Sequence, residues 1–204
     1  MNENKEIIGI ILAAGLSTRM GRLKQLLPIA GRPVVCRVAE AMRSRFERVL
    51  VILGHRAEEV AAALGESGVE CVVNNRYQDG MLSSVQCALQ AMGEERDFAL
   101  SLGDQPSLQA ETIDAVVDAW VQTDKGIILP TYCEKRGHPV LIRRKYIANI
   151  LALGEGVGLN EVTRGFPEDT LEIALNSPEI LDDMDTPADY EREVKRVLKG
   201  SGLK

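Results

Sequence analysis

Short apolar runs alternate with helix-length amphipathic stretches along most of this chain. That alternation narrows the possible folds more than any other feature. Residues 7–12, 48–53, 69–73, 98–102, 127–131 and 139–142 read as strands. Between them, residues 33–46 carry Val35, Val38, Ala39, Met42 and Phe46 at helical spacing, with Pro33 suited to a first turn. Residues 56–64 form a helix ended by Gly65, residues 81–92 form one after Gly80, and Ile113, Val116, Val117 and Trp120 line another that starts at Glu111. Tyr190, Val194, Val197 and Leu198 mark a last helix beginning at Pro187. Strand and helix in turn predict an α/β fold with a mostly parallel sheet covered by helices. In such sheets ligands bind outside the carboxyl ends of the strands, near a switch point in strand order.

A length of 204 residues with 45% hydrophobic content suits one domain over residues 1–200, with 201–204 as a frayed tail. Twenty-four basic against 30 acidic side chains leave a net charge of -6, which argues against non-specific nucleic-acid binding. No apolar run is long enough to span a bilayer, and MNENKE lacks the pattern of a signal peptide, so a cytoplasmic protein is expected. Cys36, Cys71, Cys87 and Cys133 show no CxxC spacing; reduced, mostly buried thiols are expected, and no zinc site.

The unusual stretches follow predicted strands. After the first comes LAAGLSTRMG, with Lys24 three residues past Gly21. Small residues let backbone N–H groups approach an anion, and Arg19 and Lys24 can contact phosphate oxygens. The pattern is neither GxxxxGK[ST] nor GxGxxG. After the third strand, NNRYQDGMLSSV supplies Asn74, Asn75, Gly80, Ser83 and Ser84 as polar donors ahead of a helix. After the fourth, GDQP places Asp104 at a strand tip, where a carboxylate either binds Mg²⁺ or caps a helix. DDMDTPADY adds Asp182, Asp183, Asp185 and Asp189, too many to cap one helix. RGHPV holds His138 at a loop-to-strand junction, as a substrate contact or a structural histidine; His55, in GHR, reads as loop structure. A basic glycine loop, two acidic sites and polar donors at strand ends suit a nucleoside triphosphate with Mg²⁺.

In this order, LAAGLSTRMG with Lys24, NNRYQDGMLSSV, GDQP, RGHPV and DMDTPADY resemble the MobA-like nucleotidyltransferases, nearest their molybdenum cofactor cytidylyltransferase branch. The resemblance spans residues 7–198 and implies a single Rossmann-like domain in the style of the nucleotide-diphospho-sugar transferases. It implies transfer of a nucleoside monophosphate onto a phosphate with release of pyrophosphate. It places Leu12, Ala13, Ala14, Gly15, Asn75, Gly80, Ser83, Ser84 and Gly103 on the nucleotide, with Arg19 and Lys24 on its phosphates. Asp104 and Asp185 would hold Mg²⁺, and Gln105, His138 and Pro139 would meet the acceptor. Ala14, giving LAAG rather than LAGG, goes with CTP in that family. The implied acceptor is the phosphate of molybdopterin, and a molybdenum hydroxylase the recipient of the product. One stretch departs from the pattern: where the family often shows GDxGAR, residues 155–160 read EGVGLN, so Gly156 and Asn160 replace an Asp and an Arg. The alternatives are a nucleotidyltransferase for a sugar or polyol phosphate and a non-catalytic carrier of molybdenum cofactor. A glycosyltransferase is disfavoured, since no DxD follows the fourth strand.

Overall fold

A computed structural model describes residues 7–93 and 96–200, so the expected tail at 201–204 lies outside the described residues. The central strand β1 (Ile7–Ala13) is buried on both faces because its side chains alternate between two apolar layers. Ile7, Ile11 and Ala13 join one cluster, and Ile8 and Ile10 the other. Gly9 gives way to a neighbour: a Cβ there would stand 3.0 Å from Val49 and 3.1 Å from Phe46.

Helix α1 (Val34–Arg43), strand β4 (Arg48–Leu53), α2 (Ala57–Leu64), β5 (Glu70–Val73), α3 (Met81–Met92), β6 (Asp97–Leu102) and α4 (Ala110–Val121) follow in the expected order. Pro33 sits just before α1, within a small hairpin of β2 (Pro28–Ile29) and β3 (Arg32–Pro33). Then come β7 (Ile127–Tyr132), β8 (Lys135–Arg136), β9 (Val140–Ile142), α5 (Ile147–Leu151), α6 (Asn160–Gly165), β10 (Thr170–Ala174) and α7 (Pro187–Gly200). The main sheet runs β10-β7-β9-β6-β1-β4-β5. It is parallel except where β9 opposes β6 and β7 and where β8 opposes β7. The chain returns from β7 to β9 through the short β8 turn, too short for the crossover that a parallel neighbour needs. Strand β10, a half-exposed edge partner of β7, answers to no expected element. None of the helices among the described residues is long and apolar enough to cross a membrane.

Strands β1, β4 and β5 step outward in one direction, and the chain then re-enters on the other side of β1 as β6. The switch point therefore falls between the carboxyl ends of β1 and β6. There Gly103 N–H donates to the Leu12 carbonyl at 2.8 Å, and a Cβ at Gly103 would stand 2.9 Å from that same oxygen. A third apolar cluster works outside the sheet. Met20, Leu27, Ile29 and Val34 pack with Met184 and Val197, tying α7 to the β2–β3 hairpin. Met184 is fully buried, so the flanking aspartates are carried to the loop after β1.

The cysteines correct one expectation. All four are free, but Cys71 and Cys133 are exposed and Cys36 and Cys87 are only half-buried. Cys71 lies on the edge strand β5, and Cys133 in the turn after β7.

Candidate active site

The loop after β1 is shaped by its own polar side chains. Ser17 has φ 54°, and its hydroxyl accepts the Lys24 N–H at 3.1 Å and donates to Gln25 Oε1 at 3.2 Å. Gln25, buried, donates from Nε2 to the Ala13 carbonyl at 3.3 Å. These contacts draw Lys24 back over the tip of β1, toward the loop that follows β6.

There Lys24 Nζ meets two carboxylates from distant parts of the chain, 80 and 161 residues on. It contacts Asp104 Oδ2 and, at 2.9 Å, Asp185 Oδ1. Arg19 Nη1 reaches the other Asp185 oxygen at 2.8 Å. The Lys24 side chain is 14% exposed and that of Asp104 12%, so the pair is largely desolvated. Burial alone would lower the Lys24 pKa; the charges and hydrogen bonds of Asp104 and Asp185 outweigh it, and the net shift is upward. Lys24 is thus held as an ammonium. Asp104 caps nothing: α4 starts six residues on, without a side-chain cap.

Asp183 completes the acidic edge. Desolvation of its carboxyl and the neighbouring Asp104 charge push its pKa up to about 6, against the Gln105 hydrogen bond and Lys24. Three carboxylates therefore face two cationic side chains, a cluster with room for more positive charge. The donor set fits a hard divalent ion: two carboxylates already converge on one cation, the Lys24 ammonium. Among the described residues no group of three or more His, Cys, Asp or Glu side chains is placed to hold a metal ion by itself. Such an ion would take its remaining ligands from phosphate oxygens and water.

These groups line one end of a cleft of about 420 Å³. Leu12, Ala14, Gly15, Gly80 and Ser84, among the residues expected on the nucleotide, line it too. Leu16, Tyr77 and Met81 add an apolar wall that the sequence did not announce. Tyr77 fits only because residue 54 is glycine: a Cβ there would stand 2.6 Å from the Tyr77 Cβ and 2.8 Å from that of Ala14.

Other expected residues fall elsewhere. Ala13 is fully buried beneath the loop, and Gly103 lets the tips of β1 and β6 approach; neither lines the cleft. Asn75 is exposed and outside the lining. Its neighbour Asn74 is buried instead, donating from Nδ2 to Ser83 Oγ at 2.9 Å and Ser84 Oγ at 3.0 Å. Ser83 faces its own turn, within 2.8 Å of the Arg76 and Gly80 carbonyls.

Gln105, His138 and Pro139 also stand apart from the cleft lining. Gln105 Nε2 donates to the Ile180 carbonyl at 3.2 Å and to Asp183 Oδ1 at 2.9 Å, and the His138 backbone N–H meets the same Ile180 carbonyl. These residues join β6 and the β8–β9 turn to the segment that carries the acidic edge. Gly137 admits that closeness, since a Cβ there would stand 2.5 Å from the Ile180 oxygen. Desolvation lowers the His138 pKa to about 4. The unfolded chain binds that proton at about pH 6.5 and the folded one only near 4, so stability falls as pH drops through this window. We expect a slope of up to about 1.4 kcal/mol per pH unit from this group. Urea titrations between pH 7 and 4 should show a flatter profile for His138→Gln; an identical slope would mean that the imidazole is not desolvated.

In the stretch that departs from the family pattern, Asn160 folds back over Gly158, where a Cβ would lie 2.2 Å from Asn160 Oδ1.

At the switch point a strand-tip loop bearing Lys24 is opposed by Asp104 and Asp185. The MobA-like NTP transferase domain matches residues 9–171. The chain belongs to this family. It is 29% identical over 182 residues to the molybdenum cofactor cytidylyltransferase of Escherichia coli (strain K12), covering 89% of this chain and 92% of that protein. Its fold matches a homolog of the Mycobacterium tuberculosis protein Rv0371c from Mycobacterium sp. strain JC1, with TM-score 0.82, 27% identity and coverage of 95% and 98% of the two chains. The manganese complex of Rv0371c from M. tuberculosis H37Rv matches with TM-score 0.76 and 28% identity, covering 94% and 98%. The α/β fold is that of the nucleotide-diphospho-sugar transferases, and the chain is a nucleotidyltransferase.

Proposed function

We propose that this nucleotidyltransferase moves CMP from CTP to the phosphate of molybdopterin, with Mg²⁺ as its ion, and passes the product to a molybdenum hydroxylase. The observation that carries the reaction class is the meeting of Lys24, Asp104 and Asp185 over 161 residues of sequence at one end of the cleft. The base and acceptor rest on Ala14 in the cleft wall and on the near full-length similarity to the cytidylyltransferase.

An oxygen of the acceptor phosphate attacks the α-phosphorus of CTP. The bond from that phosphorus to the bridging oxygen of the β-phosphate breaks in line, and pyrophosphate leaves. A phosphate monoester is mostly dianionic at neutral pH, its second pKa being about 6, so no strong base is needed. His138, with a pKa of about 4, would be a poor one. Lys24 and Arg19 neutralise charge gathering on the leaving pyrophosphate. Asp104 and Asp185 would hold the divalent ion, which when bound would supply charge screening and Lewis-acid polarisation at the phosphates.

Calorimetric titration with CTP, GTP and ATP in Mg²⁺ tests the base. Preference for CTP by about tenfold, roughly 1.4 kcal/mol, is expected. Equal binding of the three would overturn the cytidine assignment, and no binding at all would favour the carrier. Gly156 and Asn160, in place of charged residues, favour a second acceptor class, a sugar or polyol phosphate. Turnover of such a phosphate in preference to molybdopterin would establish it.

A further inference from the structure

Asp185 lies between two helical segments, with no strand to hold it, yet its carboxylate must be aimed before an ion arrives. Its backbone is fixed from four residues ahead. A single oxygen of Asp189, Oδ2, accepts from the Asp185 N–H at 3.2 Å, the Thr186 N–H at 2.8 Å and the Thr186 hydroxyl at 2.8 Å. The Asp189 N–H donates in return to Thr186 Oγ1 at 3.3 Å. Thr186 and Asp189 thus form the reciprocal cap that starts α7. That cap is complete without the Asp185 N–H. Drawing this third donor onto the same oxygen does nothing further for the helix; it restrains the backbone of the residue that contacts Lys24 and Arg19. Asp189's other oxygen is taken by Arg192 at 2.5 Å, and Asp189 does not line the cleft.

We propose that Asp189 is a positioning residue that presets Asp185 for the divalent ion, an inference that rests on the metal role of Asp185 argued above. Partners that orient metal ligands are commonly worth about 10–100-fold in metal affinity.

Mn²⁺ binding in the presence of CTP, followed by electron paramagnetic resonance, separates this role from helix capping. Asp189→Ala should weaken Mn²⁺ at least about tenfold. Asp189→Glu keeps the charge and the residue type that the capping pattern favours, but its oxygen sits one methylene further out. It should leave Tm near that of the parent protein and still weaken Mn²⁺ by about fivefold or more. Should the alanine variant fail to fold, the glutamate variant decides. Arg192→Ala, which breaks only the exposed ion pair, should leave Mn²⁺ affinity unchanged. Parent-like affinity in the folded Ala or Glu variant would overturn the proposal. Asp185→Ala tests the underlying assignment: if that change leaves Mn²⁺ binding intact, the metal role itself fails, whatever Asp189 does.

Discussion

Asp104→Asn is expected to lower kcat/KM by about 10³-fold or more at saturating Mg²⁺, about 4 kcal/mol of transition-state stabilisation. Asp104 supplies one of the two carboxylates that converge on the Lys24 ammonium, and it is the one held rigidly at the sheet, just past the tip of β6. An amide of the same shape binds a hard cation poorly and leaves excess positive charge beside Lys24. The fold should survive. Asp104 caps no helix, Lys24 keeps its contact to Asp185, and the packing of β6 rests on Phe98, Leu100 and Leu102. We expect a loss of about 1–2 kcal/mol and a Tm lower by a few degrees. Steady-state rates against Mg²⁺ concentration, with thermal melts of both proteins, test this. Activity within a fewfold of the parent would remove Asp104 from the metal site.

Lys24→Met is expected to move two measurements in opposite directions. Turnover should fall, with kcat/KM down about 10²–10³-fold, because a positive charge aimed at the phosphates is gone. Nucleotide-free affinity for Mn²⁺ should rise about tenfold. The ammonium sits between the two carboxylates proposed to hold the ion, and its pKa is raised by them. An ion must displace it, and a triphosphate gives it somewhere else to go. The competition would make the metal–nucleotide complex, rather than the free ion, the species that enters the cleft. Calorimetry with Mn²⁺ alone and rates with CTP give the two numbers. A fall in both would mean that Lys24 builds the ion site instead of guarding it.

Much of this molecule is legible in the chain itself. β1, β4 and β6, α2, α3 and α4, and the start of α7 fall within a residue of the expected bounds, because their apolar periods are clear and several of them are bounded by a glycine or a proline. Lys24, Asp104 and Asp185 stand out from their local contexts and do meet. Strand β10 and the small hairpin before α1 do not announce themselves. Strand β10 is half-exposed, and the β2–β3 hairpin is two residues a side, so neither carries a period to read.

What only the tertiary structure decided is which polar residues face the cleft and which hold its walls. Asn75 and Asn74 are neighbours of the same type, yet the second is buried beneath Ser83 and Ser84 and the first is exposed. Gln105 and His138 share the Ile180 carbonyl as a joint, and Asp189 serves the backbone of Asp185. A chain specifies through local pattern which segments are strand or helix and which loops follow them. The partner of a polar side chain is fixed by contacts from distant segments. Here the packing of Met184 and Val197 against Met20 and Ile29 brings residue 185 to residue 24.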